Sequence, residues 1–453
     1  MKKTRQIGLF ICVLTALGSQ ANSDALTVDE AINIALRQST SIFTSQNNLE
    51  SARTEYKNRA NVLYPGIQIS STLSRANEAP TVGLQELSPY SLSVGVQGNL
   101  VLSPSMLDGL AVLEHEYTKA AVDREKAEKA LRRDVKQSFY NLIYLEESIA
   151  LLKESMDTMR AQYEQARIDY QNGRVSELNM LNTKVAYKNM EPQLASLQST
   201  YREALARFCL LIGLDPSSTP DLQGEIELPG PAETLKATIW SDYNSLQLQD
   251  ELGGRFDLQT AQISIEQMKT NLDSQRHSGF YPSLNISASW MPMVREPFSA
   301  STWEGSFSDP WTDQGSVSVS VSLPVDGWFP GSGSKTKIAS IESSLTNLRA
   351  QYQQQLRVAS NEVQTLLRSL NDSLTNIESL ELNREVAARN YELSEDAYQS
   401  GAQDFLALQQ AEDELNTAKK NLLEEKLNFL TALFDLEYAL NTSAETILKG
   451  AHE

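Results

Sequence analysis

Apolar positions recur at spacings of three and four along two very long stretches of the chain. In the first, Val135, Phe139, Leu142, Leu145, Ile149, Leu152, Met156, Met159, Tyr163, Ala166 and Tyr170 settle into a heptad seam. Neither Pro nor Gly interrupts residues 110–172, and at about 1.5 Å per residue a helix there would be roughly 95 Å long. In the second, Ile338, Ile341, Leu345, Leu348, Tyr352, Leu356, Ala359, Val363, Leu366, Leu370, Leu374 and Ile377 repeat the pattern, and no breaker appears before Gly401. The two stretches end alike. Tyr163-Glu164 and Tyr170-Gln171-Asn172-Gly173 close the first, Tyr391-Glu392 and Tyr398-Gln399-Ser400-Gly401 the second. A further helical run starts directly after each glycine, whose access to left-handed backbone stops a helix. The pattern predicts two long antiparallel helical hairpins with tips at 172–176 and 400–404.

Ahead of each long arm the period changes from helical to alternating. Ile67, Ile69 and Leu73 alternate with polar residues, as do Leu92, Val94 and Val96, and then Val317, Val319, Val321 and Leu323 against serines. The predicted strands cover about 66–76, 90–102, 283–291 and 315–324, with Tyr64-Pro65 and Tyr281-Pro282 at the start of a strand in each half. One opening helix is expected from Leu26 to Val62, started by a capping box of Thr27 and Glu30. Pro192 is expected to kink or divide the first return arm. A Pro/Ser/Gly-rich stretch from Gly213 to Pro231 separates two halves, 22–230 and 231–453, which read as tandem repeats of helix, strand, loop, strand, long helix, turn, helix.

No stretch after the N-terminus has the run of apolar residues that a transmembrane helix needs, so a membrane crossing must use strands. Four strands cannot close a barrel, because the smallest membrane barrels have about eight. Copies must share one: a dimer supplies eight strands and a trimer twelve, and only the wider ring leaves a useful bore. Tyr64, Tyr90, Tyr281, Trp290 and Trp328 stand near strand ends, where aromatic girdles meet the membrane interface.

Charge and cysteine content narrow the picture further. Lys2, Lys3 and Arg5, an apolar run from Ile7 to Leu17 and small residues at Ser19 and Ala21 form a secretory leader over residues 1–21, with Ser23 as the other cleavage candidate. Cys12 follows bulky Phe10 and Ile11 and does not read as a lipid-attachment site. Cys209 is the one cysteine of the exported chain, so packing rather than a disulfide holds the fold. A net charge of −19 argues against nucleic acid or an anionic surface as partner.

Together the leader, the Leu26-Thr27-Val28-Asp29-Glu30-Ala31 start, the two Tyr-Pro strand starts and the paired Tyr-Gln-x-Gly tips resemble the TolC-like outer-membrane efflux and secretion channel family, across essentially the whole exported chain. The resemblance implies a mainly α protein with a membrane β-barrel. It would be a homotrimer whose twelve strands close one barrel in outer-membrane lipid, above a periplasmic α-helical tunnel. It also implies a tripartite efflux or type I secretion system. In that system the tips dock a periplasmic adaptor (membrane fusion) protein, which joins the channel to an inner-membrane RND, ABC or similar transporter. The docking positions carried over are Gly173, Arg174, Val175 and Ser176 with Gly401, Ala402 and Gln403. Family members narrow the periplasmic entrance with an aspartate ring just past the second tip. Here the matching positions are Ala407 and Gln410, with Asn179 as first-repeat counterpart, so Glu177 and Asp404 are the nearest acidic substitutes.

Other chemistry is weakly supported. Asp169, Asp396, Asp404, Glu412 and Asp413 read as a solvated helix face. The stretch from Gly327 to Thr336 lacks the Gly directly before Lys that a phosphate loop requires, and reads as a strand-to-helix turn. Met291-Pro292-Met293 offers two thioethers, more often packing than a soft-metal site. His115, His277 and His452 have no ligand spacing, and no catalytic constellation or cofactor motif appears. The rival reading is a periplasmic coiled-coil spacer without a channel. A general diffusion porin is disfavoured because such barrels are nearly all strand.

Overall fold

The computed structural model describes residues 25–77, 81–82, 85–86, 89–231, 235–236 and 252–443. The leader, Cys12, Pro80, Gly83 and His452 lie outside them. Two helices dominate: α3 (Pro104–Gln171) has 68 residues and α6 (Gly333–Gln399) has 67. Each is about 100 Å long at the usual helical rise. Each folds back through a short tip into a 36-residue partner, α4 (Glu177–Ile212) or α7 (Phe405–Leu440). α5 (Phe256–Phe280) packs between α3 and α6, and α7 also packs on α3, so the two hairpins are joined along their length.

The start of the chain differs from expectation. Instead of one helix there are two, α1 (Val28–Gln38) and α2 (Thr40–Lys57), broken at Ser39, whose ψ of 128° is extended. Ala31, Ile32 and Ala35 of α1 are buried, whereas α2 buries nothing fully. The break lets α1 turn into the core while α2 runs beside α3. The capping box forms as expected: Thr27 Oγ1 accepts from the Glu30 N–H, and Glu30 accepts from the Thr27 N–H at 3.0 Å. Those hydrogen bonds hold the Glu30 carboxyl below the usual carboxylate range. Pro192 does not divide α4, which continues through it to Gly213, left-handed at φ 85°. Gly213 is required there, since a Cβ would come within 2.7 Å of Gln38 Cβ.

The core sits where α1, the middle of α3 and α6 and the ends of α4 and α7 meet. Phe139, Phe208 and Phe429 are its largest fully buried side chains, with Leu142, Leu370, Leu374 and Ile377 around them. Cys209 is buried there too, its thiol 3.6 Å from the Ser218 carbonyl, and burial pushes its pKa up. Arg255, 8% exposed, is held by Asp257 at 3.0 Å and Glu362 at 2.7 Å.

The strands β1 (Gly66–Arg75), β4 (Tyr90–Leu102), β5 (Ser283–Trp290) and β8 (Gly315–Ser322) form one antiparallel sheet in the order β1-β4-β5-β8. A small pair, β2 (Thr81–Val82) and β3 (Gln85–Glu86), lies in the loop between β1 and β4. β6 (Met293–Arg295) and β7 (Trp311–Thr312) lie in the stretch expected to be loop. They continue the registers of β5 and β8: Val96 faces Trp290 and Ser91 faces Arg295, while Trp290 faces Gly315 and Val294 faces Trp311. Proline, which has no N–H to donate, interrupts the ladder at Met291-Pro292 without shifting it.

Candidate functional site

Opposed residues of an antiparallel pair project from the same face, so the registers sort every strand residue onto one of two surfaces. Ile67, Ile69 and Leu73 of β1 share a face with Leu92, Val96 and Leu100 of β4, Leu284, Ile286 and Trp290 of β5, and Val317, Val319 and Val321 of β8. This apolar face is bare: Ile69 is 75%, Val317 77% and Val321 71% exposed. An apolar surface of that extent on a sheet answers to lipid rather than water.

The opposite face is polar. Gln68, Ser70, Thr72 and Ser74 are joined on it by Ser91, Ser93, Gln97 and Asn99, by Ser283, Asn285, Ser287 and Ser289, and by Ser316, Ser318, Ser320 and Ser322. Serine hydroxyls pair across it, Ser74 with Ser91 at 2.8 Å, Ser287 with Ser318 at 2.7 Å and Ser289 with Ser316 at 2.9 Å. The Gln97 side-chain amide donates to Met291 Sδ at 3.2 Å, and Met291 lies so close over Gly95 that a Cβ there would come within 2.5 Å of its Cγ. Each outer strand, β1 and β8, has one neighbour and one open edge among the described residues. The helices leave the sheet at Gly66, Leu102, Ser283 and Ser322, so the other end, with Arg75, Tyr90 and Arg295, points away from them. Tyr64, Tyr281 and Trp328, all more than half exposed, flank the helical end of the apolar face.

At the far end of the helices the two tips share one construction. Gly173 has φ 72° and Gly401 φ 77°, and a Cβ at either would meet nothing within 4 Å. The Arg174 N–H donates to the Asp169 carbonyl at 2.8 Å, and the Ala402 N–H to Ala397 at 2.8 Å. Ser176 then caps α4 by accepting from the Asn179 N–H, and Asp404 caps α7 by accepting from the Ala407 N–H at 3.0 Å. Asp404 is therefore tied to its own helix start. Gly173, Arg174, Ser176, Glu177, Asn179, Gly401, Ala402, Gln403, Asp404 and Gln410 are exposed, while Val175 and Ala407 are partly covered. Arg174 reaches Asp169 at 3.5 Å.

One acidic residue assigned to a solvated face is not on one. Glu412 is 4% exposed, between α7 and α3, where Ser155 donates to it at 3.0 Å and Gln162 at 3.5 Å. Asn416 donates to Ser155 Oγ at 3.0 Å. Burial raises the Glu412 pKa, Asp413 and Glu395 adding to it against the hydrogen bonds of Ser155 and Gln162. Nearby Tyr391 is pushed up to about 12, first by burial and then by Glu412, Glu395 and Glu154. Ser148 and Ser155 take the buried seam positions, leaving Ile149, Leu152 and Met156 half-buried.

The remaining candidates fall away. His115 contacts Thr270 at 3.2 Å and His277 contacts Asp108 at 2.6 Å, two separate contacts about two helical turns apart along α3 and α5. Among the described residues no His, Cys, Asp or Glu group could hold a metal ion, and no helix is long and apolar enough to cross a membrane. Residues 327–332 lie in the turn from β8 into α6, and residues 333–336 are the first turn of that helix.

A model of the outer membrane efflux protein family matches residues 31–214 and 247–442. The chain belongs to that family. The efflux protein lies in the outer membrane with its helices in the periplasm, and it is a channel rather than an enzyme. Its fold is that of several solved channels. The outer membrane protein VceC of Vibrio cholerae matches with a TM-score of 0.71 and 17% identity, over 92% of this chain and 96% of VceC. The CmeC outer membrane channel of Campylobacter jejuni gives 0.72 and 16%, over 91% and 85%. The open state of the MtrE outer membrane channel of Neisseria gonorrhoeae gives 0.68 and 19%, over 92% and 89%. A search of curated proteins found no match.

Proposed function

We propose that three copies of this efflux protein close one twelve-stranded barrel, and that the trimer conducts cargo passively from an inner-membrane pump through periplasm and outer membrane. The observation that carries this reading is the sheet with two open edges and one bare apolar face. In lipid an unpaired edge leaves backbone groups unsatisfied, at several kcal/mol for each group. Pairing β8 of one copy with β1 of the next removes both edges of the four principal strands. The helical hairpins support self-association as well, since Leu178, Leu181 and Val185 on α4 and Leu382, Val386 and Leu393 on α6 are exposed. The exposed tips at 173–176 and 401–403 are assigned to a periplasmic adaptor, and residues 177, 179, 404, 407 and 410 to the entrance beside it. The two halves, 22–230 and 231–453, are assigned to a duplicated unit behind a leader of residues 1–21.

Light scattering on protein extracted in mild detergent tests the assembly: a trimer is expected, and a monodisperse monomer would refute it. Export tests the conduit. A strain lacking the protein should lose resistance to, or secretion of, at least one cargo class among drugs, metal ions and proteins.

A further inference from the structure

The polar face of the sheet is uncharged over almost its whole length. From the helical end outwards its described side chains are hydroxyls and amides, with Gly66, Val101, Gly95, Met291 and Met293 as interruptions. The acidic excess of the chain therefore lies elsewhere, chiefly in the helices. One charged residue stands on this face among the described residues. Arg295 is exposed and faces Ser91 across the β4–β6 pair, beside the Ser74–Ser91 hydroxyl pair at the end remote from the helices. The other strand arginine, Arg75, faces Tyr90 on the apolar surface, its guanidinium 5.7 Å from that ring.

We infer that the membrane segment of the channel is a neutral hydroxyl- and amide-lined sleeve, without a charge filter of its own, and that Arg295 at its outer mouth sets the charge preference of the exit, in favour of anionic groups. The inference rests on the channel reading. A water-filled bore with neutral walls lets ions of either sign pass with little discrimination, whereas a ring of like charges at a constriction selects by sign. Three copies of Arg295 would form such a ring. Its field reaches about one Debye length, roughly 8 Å at physiological salt, so it acts on groups near the mouth and fades as salt rises. Cargo bearing a phosphate, sulfonate or carboxylate would leave past it more readily than an equivalent cation.

Cysteine reactivity from outside the cell tests this in the full-length protein, since Cys209 is buried and is replaced by alanine as background. Ser318→Cys lies on the polar face and Val319→Cys on the apolar one. Both are exposed to the anionic sulfonatoethyl and the cationic trimethylammonioethyl methanethiosulfonates. Position 318 is expected to react with both reagents and 319 with neither. A third cysteine, Ser74→Cys, stands on the polar face across Ser91 from Arg295; there Arg295→Glu should lower the anion-to-cation rate ratio at least threefold in low salt, Arg295→Gln by less, and high salt should erase the difference. An unchanged ratio overturns the role of Arg295. Reaction at 318 with only one reagent, whatever stands at 295, overturns the neutral sleeve, as does silence at both positions in a trimer that still exports. Reaction at 319 but not 318 reverses the faces, and the channel reading itself then fails.

Discussion

Glu412 on the return arm of the second hairpin accepts a hydrogen bond from Ser155 on the incoming arm of the first, at 3.0 Å, with both residues buried. A buried carboxylate that depends on so few donors is sensitive to losing one. Ser155→Ala should cost about 1–3 kcal/mol, the usual penalty for a buried polar group deprived of its partner. Thermal melting of the purified protein at pH 8 measures it.

The same contact has a pH signature. The Glu412 pKa is raised in the folded protein, chiefly by burial, so the folded state binds this proton more tightly than the unfolded chain. Its contribution is complete below the ordinary carboxylate value and is lost as pH rises through the raised one. Wild-type stability relative to Glu412→Gln should therefore increase as pH falls from 8 towards 5. A melting-temperature difference that does not change over that range would show that Glu412 does not titrate there.

Val319 and Ser318 are adjacent residues on opposite faces of β8. Val319→Arg places a charge against lipid and should destabilise by about 2–4 kcal/mol if the site lies near the bilayer midplane, whereas Ser318→Arg faces water and should assemble normally. The amount of folded, heat-resistant protein in outer membranes reads both.

Asp404 caps α7, and its amide counterpart can do the same. Asp404→Ala should lose about 0.5–2 kcal/mol of local stability and Asp404→Asn much less. If Asp404→Asn alters export while leaving melting unchanged, the carboxylate has a role at the entrance beyond the cap.

Gly173 and Gly401 occupy left-handed backbone with open space where a side chain would stand. A valine there meets backbone strain of about 1–2 kcal/mol rather than a clash, and asparagine tolerates the conformation better. Gly401→Val should distort the tip and abolish export with the trimer intact, and Gly401→Asn should retain export. Cargo accumulation together with trimer yield separates these outcomes.

Much of this architecture was legible along the chain because its elements are long and regular. The heptad seams, glycine-terminated tips, capping box and serine–valine alternation are local patterns whose period depends on backbone geometry alone. What escaped reading was set at contacts between distant segments. The helix break at Ser39 follows from where α1 must bury Ala31, Ile32 and Ala35. The continuation of the strands past Met291-Pro292 follows from pairing with β4, which overrides the proline. Glu412 looked like any acidic residue on a wet helix until α3 packed against it. Its signal was indirect: Ser148 and Ser155 stand seven apart, at seam spacing, and small polar residues in a seam leave room for a polar partner.

The order of hydrophobic and polar residues, by itself, determined that this protein has two long hairpins, four principal strands with one greasy side, and therefore too few strands to close a barrel alone. Those are consequences of periodicity, which needs no knowledge of what lies across the fold. Only the tertiary structure decided which strands are neighbours, which side chains share the polar wall with Arg295, and which carboxylate is shut between the hairpins. The joining of β4 to β5 and the burial of Glu412 against Ser155 depend on residues about two hundred or more positions apart, and no local pattern encodes such a pair.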